Sequence, residues 1–293
     1  MHTDVPVLAH WDIRPALPNK KSWEGYAIRW WDEKKARYEL HPGRNNPAFA
    51  RALLLDGLKH VRKQSYSSEL IDVVTLDPMA GIATMLVEAT KLGQDPALNF
   101  NLQAVGYEIW PQALGLAAQN LQPYGQWAEI RARDFKSVTF PLGPWADVIV
   151  TSPPFPNNHS PGESTEQDRM RETRGMGAGH AWSGLAEDVA TAAEPGIYWG
   201  KLSLVWENAF KALKPGSRAY VITRDYVVKN ETVPYTRAVA VSLEEAGFKV
   251  LGRITRELRP SGYHQKRIKH FKTKDMGVPT FIDHEDAIVA ERP

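Results

Sequence analysis

Leu76-Asp77-Pro78-Met79-Ala80-Gly81-Ile82-Ala83-Thr84 follows an apolar run at 73–76 and opens a helical pattern over 82–92 that stops at Gly93. A strand handed to a helix through an acidic residue and several small ones lets a ligand approach the backbone at a helix N-terminus. Downstream, the spacing of apolar residues predicts a strand over 104–108, a helix over 111–121 and strands over 130–132 and 147–151. The pattern resumes with a helix over 198–213, the turn Lys214-Pro215-Gly216, a strand over 218–223, a helix over 233–246 and a strand over 248–255. A short strand over 287–290 is expected to close an edge. Upstream, Phe49, Leu53, Leu54, Leu58 and Val61 recur at helical spacing and predict a helix from Pro47 to the polar stretch at 64–68. Alternating strands and helices argue for a mostly parallel sheet with helices on both faces.

Residues 1–40, rich in Trp, Pro and Lys without a sustained period, read as an N-terminal extension with one short strand near 26–30, ahead of a single α/β domain over 41–293. The polar, Gly-rich stretch at 156–196 is too long for a plain connection and reads as an insertion or recognition loop. With 293 residues, 43% of them hydrophobic, the chain can bury a sizeable core. It contains no apolar run long enough to span a bilayer, and its N-terminus lacks a basic and apolar leader pattern, so a cytoplasmic protein without a membrane partner is expected. A formal charge of +2 says little about partners, so the placement of charges matters more than their sum. Absence of cysteine excludes thiolate nucleophiles, iron-sulfur ligation and cysteine-ligated zinc, and no metal is expected.

Three further strand ends carry chemistry. Only one glycine lies in the turn after Asp77 and no Gly-Lys-Ser/Thr follows, so the turn is neither a dinucleotide fingerprint nor a P-loop. Glu108 ends the next strand, where a carboxylate can accept both hydroxyls of a ribose. Asp134-Phe135 follows the third strand, with an acceptor for an adenine amine beside a ring. At the fourth, Val148-Ile149-Val150 runs directly into Thr151-Ser152-Pro153-Pro154-Phe155, where two prolines fix the backbone, remove two amide donors and leave carbonyls free to accept.

Ser-Pro-Pro-Phe after a strand resembles the catalytic motif of S-adenosylmethionine-dependent amino-methyltransferases of nucleic acids, and serine at its first position resembles the N4-cytosine DNA enzymes. The turn at 77–81 is similar to that family's cofactor loop, Asp-Pro-Phe-x-Gly-x-Gly, with Met79 for Phe and Ala83 for the last Gly. His41-Pro42-Gly43-Arg44-Asn45-Asn46-Pro47 ahead of a helix looks like its N-terminal motif on the methionine side, with the usual aromatic and lysine replaced. The resemblance covers residues 41–156 best and implies a Rossmann-like class I methyltransferase sandwich with a seven-stranded sheet. It places cofactor contacts at His41, Asn45, Asp77, Pro78, Met79, Ala80, Gly81, Thr84, Glu108, Ile109, Asp134, Phe135 and Thr151. Ser152, Pro153, Pro154 and Phe155 become the catalytic set.

A base amine is a poor nucleophile because its lone pair is delocalised. The Ser152 hydroxyl and the Pro153 carbonyl are expected to accept its two hydrogens, while Phe155 stacks on a base flipped from the duplex. The expected activity is methylation of cytosine N4 in DNA, with RNA as the second polymer. Lack of cysteine excludes C5 methylation through a covalent adduct. A basic stripe over 253–274 holds Arg256, Arg259, Lys266, Arg267, Lys269 and Lys272 with Tyr263, His264 and Phe271 interleaved, a pattern suited to phosphates and unstacked bases.

Each signal has a plainer counterpart. Two prolines also end a strand, Asp77 and Gly81 also make a helix cap and a turn, Glu108 and Asp134 also sit at solvated strand ends, and a basic stripe is also a solvated face. The rival functions are an adenine-N6 or guanine-N2 methyltransferase and, from another class, a nucleic-acid-binding protein with a degenerate cofactor fold.

Overall fold

A computed structural model describes residues 5–11, 26–27, 29–32, 37–40, 46–65, 69–139, 143–156, 189, 195–228, 231–258 and 284–293. In chain order its elements are β1 (Val7–Trp11), β2 (Arg29–Asp32), β3 (Arg37–Leu40), α1 (Pro47–Ser65), β4 (Ile71–Asp77), α2 (Thr84–Gly93), β5 (Phe100–Glu108), α3 (Pro111–Leu121), β6 (Ala128–Ala132) and β7 (Ala146–Thr151). There follow α4 (Pro195–Ala212), β8 (Leu213–Thr223), β9 (Tyr226–Val228), β10 (Glu231–Val233), α5 (Tyr235–Glu245), β11 (Lys249–Glu257) and β12 (His284–Glu291).

The main sheet has the order β1-β11-β12-β8-β7-β4-β5-β6. Strand β12 runs antiparallel to both of its neighbours, and the remaining pairs in that sheet are parallel. Side chains alternate across it, as the pleat requires. Val148 and Val150 of β7 face a core layer built from Phe49, Leu53 and Leu58 of α1 and Leu86 and Leu92 of α2. Ile149, between them, faces the opposite layer with Leu202 and Trp206 of α4 and Leu243 of α5. This mostly parallel sheet with helices on both faces is the Rossmann-like sandwich expected above.

The chain lays down β4, β5 and β6 outward in one direction, then returns to place β7 on the other side of β4. Loops leaving β4 and β7 therefore diverge, and a crevice opens at their carboxyl ends, where ligands gather in open α/β sheets. The Asp77 turn and the Ser152 turn leave from those two ends.

Three features differ from expectation. Strand β12 lies in the interior of the sheet, because Ala287, Ile288, Val289 and Ala290 are buried on both faces and an edge would leave one face wet. The sheet has an eighth strand, since β1 from the N-terminal extension pairs in parallel with β11 and takes the edge. Lys214-Pro215-Gly216 lies within β8 as a register shift against β7, with Gly216 at φ 75°.

The extension is also tied to the main body away from the sheet. Tyr26 donates its hydroxyl to the buried Glu88 of α2 at 2.6 Å. Asn120 of α3 accepts from the Ala27 amide at 2.6 Å and donates to the carbonyls of Ala27 and Ile82 at 3.1 and 2.8 Å. Of the 156–196 insertion, residues 157–188 and 190–194 lie outside the described residues. No helix among the described residues is long and apolar enough to cross a membrane.

Candidate functional site

A cavity of about 230 Å3 opens at the carboxyl ends of β4, β5, β6 and β7. The space is several times the roughly 30 Å3 share of one water molecule, so it suits a ligand rather than an isolated solvent site. Its walls include Pro78, Met79, Ala80, Gly81 and Thr84 from the first turn, Glu108 and Ile109 from the second, and Asp134 and Phe135 from the third. Ser152, Pro153, Pro154 and Phe155 line it from the fourth. All four strand-end motifs singled out in the sequence thus meet in one pocket.

Two of the expected cofactor residues stand behind that wall. Asp77 and Thr151 are buried, and the Thr151 hydroxyl donates to Asp77 Oδ1 at 2.7 Å, which binds the two turns directly to each other. The same oxygen accepts from the Met79 amide at 3.1 Å, while Oδ2 is buried without a hydrogen-bond partner. Burial pushes the Asp77 carboxyl up to about 7; the bonds from Thr151 and Met79 pull it down and the charge of Glu108 adds to the rise.

Glu108 is neither a bare strand end nor a side chain waiting in solvent. Its carboxylate accepts from the amides of Gly81 at 2.7 Å and of Ile109 and Trp110 at 2.8 Å each. A negative charge is thereby fixed at the N-terminus of α3, where the helix dipole favours it, and the Gly81 turn is held against β5. That turn lies close to β5 because Gly106 has no side chain: a Cβ there would stand 2.9 Å from the Ala80 Cβ and from Leu86 Cδ2. Gly81 and Ala83 both adopt left-handed backbone, at φ 54° and 64°. Ala83, which stands where the cofactor loop it resembles has its last glycine, takes a glycine-like conformation at a cost of about 1–2 kcal/mol.

Asp134 caps a short 3-10 turn, accepting from the Lys136 amide at 3.0 Å, and its other oxygen pairs with the Lys136 ammonium at 2.8 Å. Phe135 packs edge-on against Tyr107, with centroids 4.9 Å apart. This loop is held from outside by the buried Asn208 of α4, whose amide donates to the carbonyls of Phe135, Lys136 and Val138. Sequence reasoning missed Asn208, though an Asn among the apolar residues of a helix is itself a sign of a bound backbone.

Also missed were the aromatic residues beneath the Ser152 turn. Phe155 packs against Tyr235 and Tyr226, with centroids at 5.2 and 5.9 Å. The Tyr198 hydroxyl donates to the Pro154 carbonyl at 2.8 Å and is itself in hydrogen-bond contact with the Tyr235 hydroxyl.

Arg256 corrects an expectation. The sequence pattern puts it in a phosphate-contacting stripe, but it is buried, lies 5.1 Å over the Phe49 ring and bonds Glu285 at 2.5 Å, because β11 faces it inward against α1 and β12. Its partner Glu285 lines the pocket. His41, Asn45, Arg259, Lys266, Arg267, Lys269 and Lys272 lie outside the described residues.

No protein-family model and no curated protein matches the chain. Solved structures similar to it include TrmN from Thermus thermophilus, at 15% identity and a TM-score of 0.43, covering 86% of this chain and 50% of that one. Another is the precorrin-6y C5,15-methyltransferase from Geobacter metallireducens GS-15, at 14% identity and a TM-score of 0.44, covering 92% and 96%. An rRNA methylase from Streptococcus thermophilus has 9% identity and a TM-score of 0.44, covering 85% and 97%. The chain thus spans half the length of the TrmN chain.

Proposed function

We propose that this chain is an S-adenosylmethionine-dependent methyltransferase acting on an exocyclic amine of a nucleic-acid base, with N4 of a flipped cytosine in DNA as its target. The observation that carries the reading is that the Ser152-Pro153-Pro154-Phe155 turn and the Gly81 and Glu108 turns line one pocket at the switch point of the sheet.

The residues present suit the cofactor. Glu108 brings a fixed carboxylate to the wall where ribose hydroxyls would be held, and Ile109 and Phe135 bring apolar surface for an adenine. Asp77 carries a buried, unpartnered oxygen behind the turn, an environment that a cationic ligand group nearby would relieve. S-adenosylmethionine supplies a methyl group activated by a sulfonium. The chain's task is then to turn the amine lone pair toward that methyl. The Ser152 hydroxyl and the Pro153 carbonyl accept the two amine hydrogens, and Phe155, held by its aromatic neighbours, supplies a face for the base.

The test is transfer of tritiated methyl from S-adenosylmethionine to DNA and to RNA, followed by digestion to nucleosides. N4-methylcytosine from DNA is expected. N6-methyladenine or N2-methylguanine would move the target to a purine, and absence of transfer to either polymer by protein that binds the cofactor would end the proposal. Ser152→Ala is expected to slow transfer about 100-fold while the calorimetric Kd for S-adenosylmethionine stays within about twofold, and equal losses would deny Ser152 this role.

A further inference from the structure

Pro153 and Pro154 have no amide hydrogens, so the turn that carries the catalytic acceptors cannot be pinned through its own N–H groups there. It is pinned through a carbonyl by side chains from two helices. Tyr198 of α4 donates to the Pro154 carbonyl at 2.8 Å, and Tyr235 of α5 reaches the same oxygen at 3.4 Å and touches the Tyr198 hydroxyl. Both rings are buried, and burial raises both phenols, so each hydroxyl keeps its proton and remains a donor across the working pH range.

Resting on the reading above, we infer that Tyr198, backed by Tyr235, is a positioning residue for methyl transfer: it occupies the Pro154 carbonyl and so leaves the Pro153 carbonyl and the Ser152 hydroxyl as the pair that grips the amine. In that step the amine nitrogen bonds the methyl carbon as the carbon–sulfur bond breaks, its electron pair going to sulfur, and the nitrogen sheds one proton to water. Only a nitrogen whose two hydrogens are correctly held presents its lone pair in line. A misplacement of about 1 Å costs on the order of 100-fold in rate.

Tyr198→Phe and Tyr235→Phe remove one oxygen each and keep the rings. Tyr198→Phe is expected to lower kcat roughly 10- to 100-fold, with KM for DNA and the calorimetric Kd for S-adenosylmethionine within about twofold of wild type. Tyr235→Phe, whose contact with Pro154 is longer, is expected to lower kcat less and in the same selective way. A Tyr198→Phe enzyme with wild-type kcat overturns the inference, as does a parallel fall of kcat and cofactor affinity in either variant, the pattern of a merely structural contact. Should Tyr198→Phe fail to fold, Tyr235→Phe decides alone. Wild-type protein that transfers no methyl to nucleic acid would instead sink the functional reading on which the inference stands.

Discussion

Asp77 is buried with one oxygen unpartnered, and its proton is held to about pH 7 against an ordinary value near 4. A carboxyl whose folded value is raised contributes stability that is full below its unfolded value and is lost as pH climbs through the folded one. The protein should therefore lose stability between about pH 4 and 7, toward a limiting slope of about 1.4 kcal/mol per pH unit from this group. Asp77→Asn keeps an acceptor for Thr151 and Met79 and removes the buried charge. Urea unfolding should show the variant gaining on wild type as pH rises through that window, with no gain at pH 4, and a constant difference would contradict the assignment. Motif reading finds Asp77 but not the bonds from Thr151 and Met79 that hold it, since a sequence does not reveal which carboxylate oxygen faces which neighbour. Arg256 is misread because counting charges along a stripe cannot see the acid, Glu285, that a strand distant in sequence sets beside it. Glu285→Ala leaves that guanidinium buried and unpaired, and is expected to cost about 3–5 kcal/mol in denaturant unfolding.

Where elements meet, two glycines give opposite forecasts. An alanine at Gly106 of β5 would press on Ala80 and Leu86, so Gly106→Ala should destabilise by about 1–3 kcal/mol and weaken cofactor binding, because the displaced turn is a pocket wall. Gly115 is exposed on α3, and a Cβ there would meet no atom within 4 Å, so this position should accept alanine with a gain of about 0.5–1 kcal/mol. Thermal unfolding of both, with cofactor titration of the first, checks the pair. The central elements are legible because their apolar residues are buried in a strict period, as at Phe49, Leu53 and Leu58 of α1. Strand β1 is not, because its apolar Val7 and Leu8 are adjacent and both exposed, and only Ala9 and Trp11 turn, partly buried, toward the core. Strand β12 is found but misplaced, since chain order suggests an edge while five consecutive buried residues speak for the interior.

At the scale of the whole molecule, a sequence reading can place motifs on strand ends but not say which ends are neighbours. The order β8-β7-β4-β5-β6 brings residues more than seventy positions apart into one crevice, and it follows from the return of the chain to the far side of β4. What stays hidden is the scaffolding: Asn208, Tyr198 and Tyr235 bear no motif, and their value comes only from carbonyls that the fold carries to them.

Another contact, Thr151 to Asp77, joins the turn after β4 to the turn after β7. A ligand that displaced one turn would load the other through this bond, so two ligands seated at the two turns would be coupled. Whatever factor the first adds to the second's affinity, the second must return to the first.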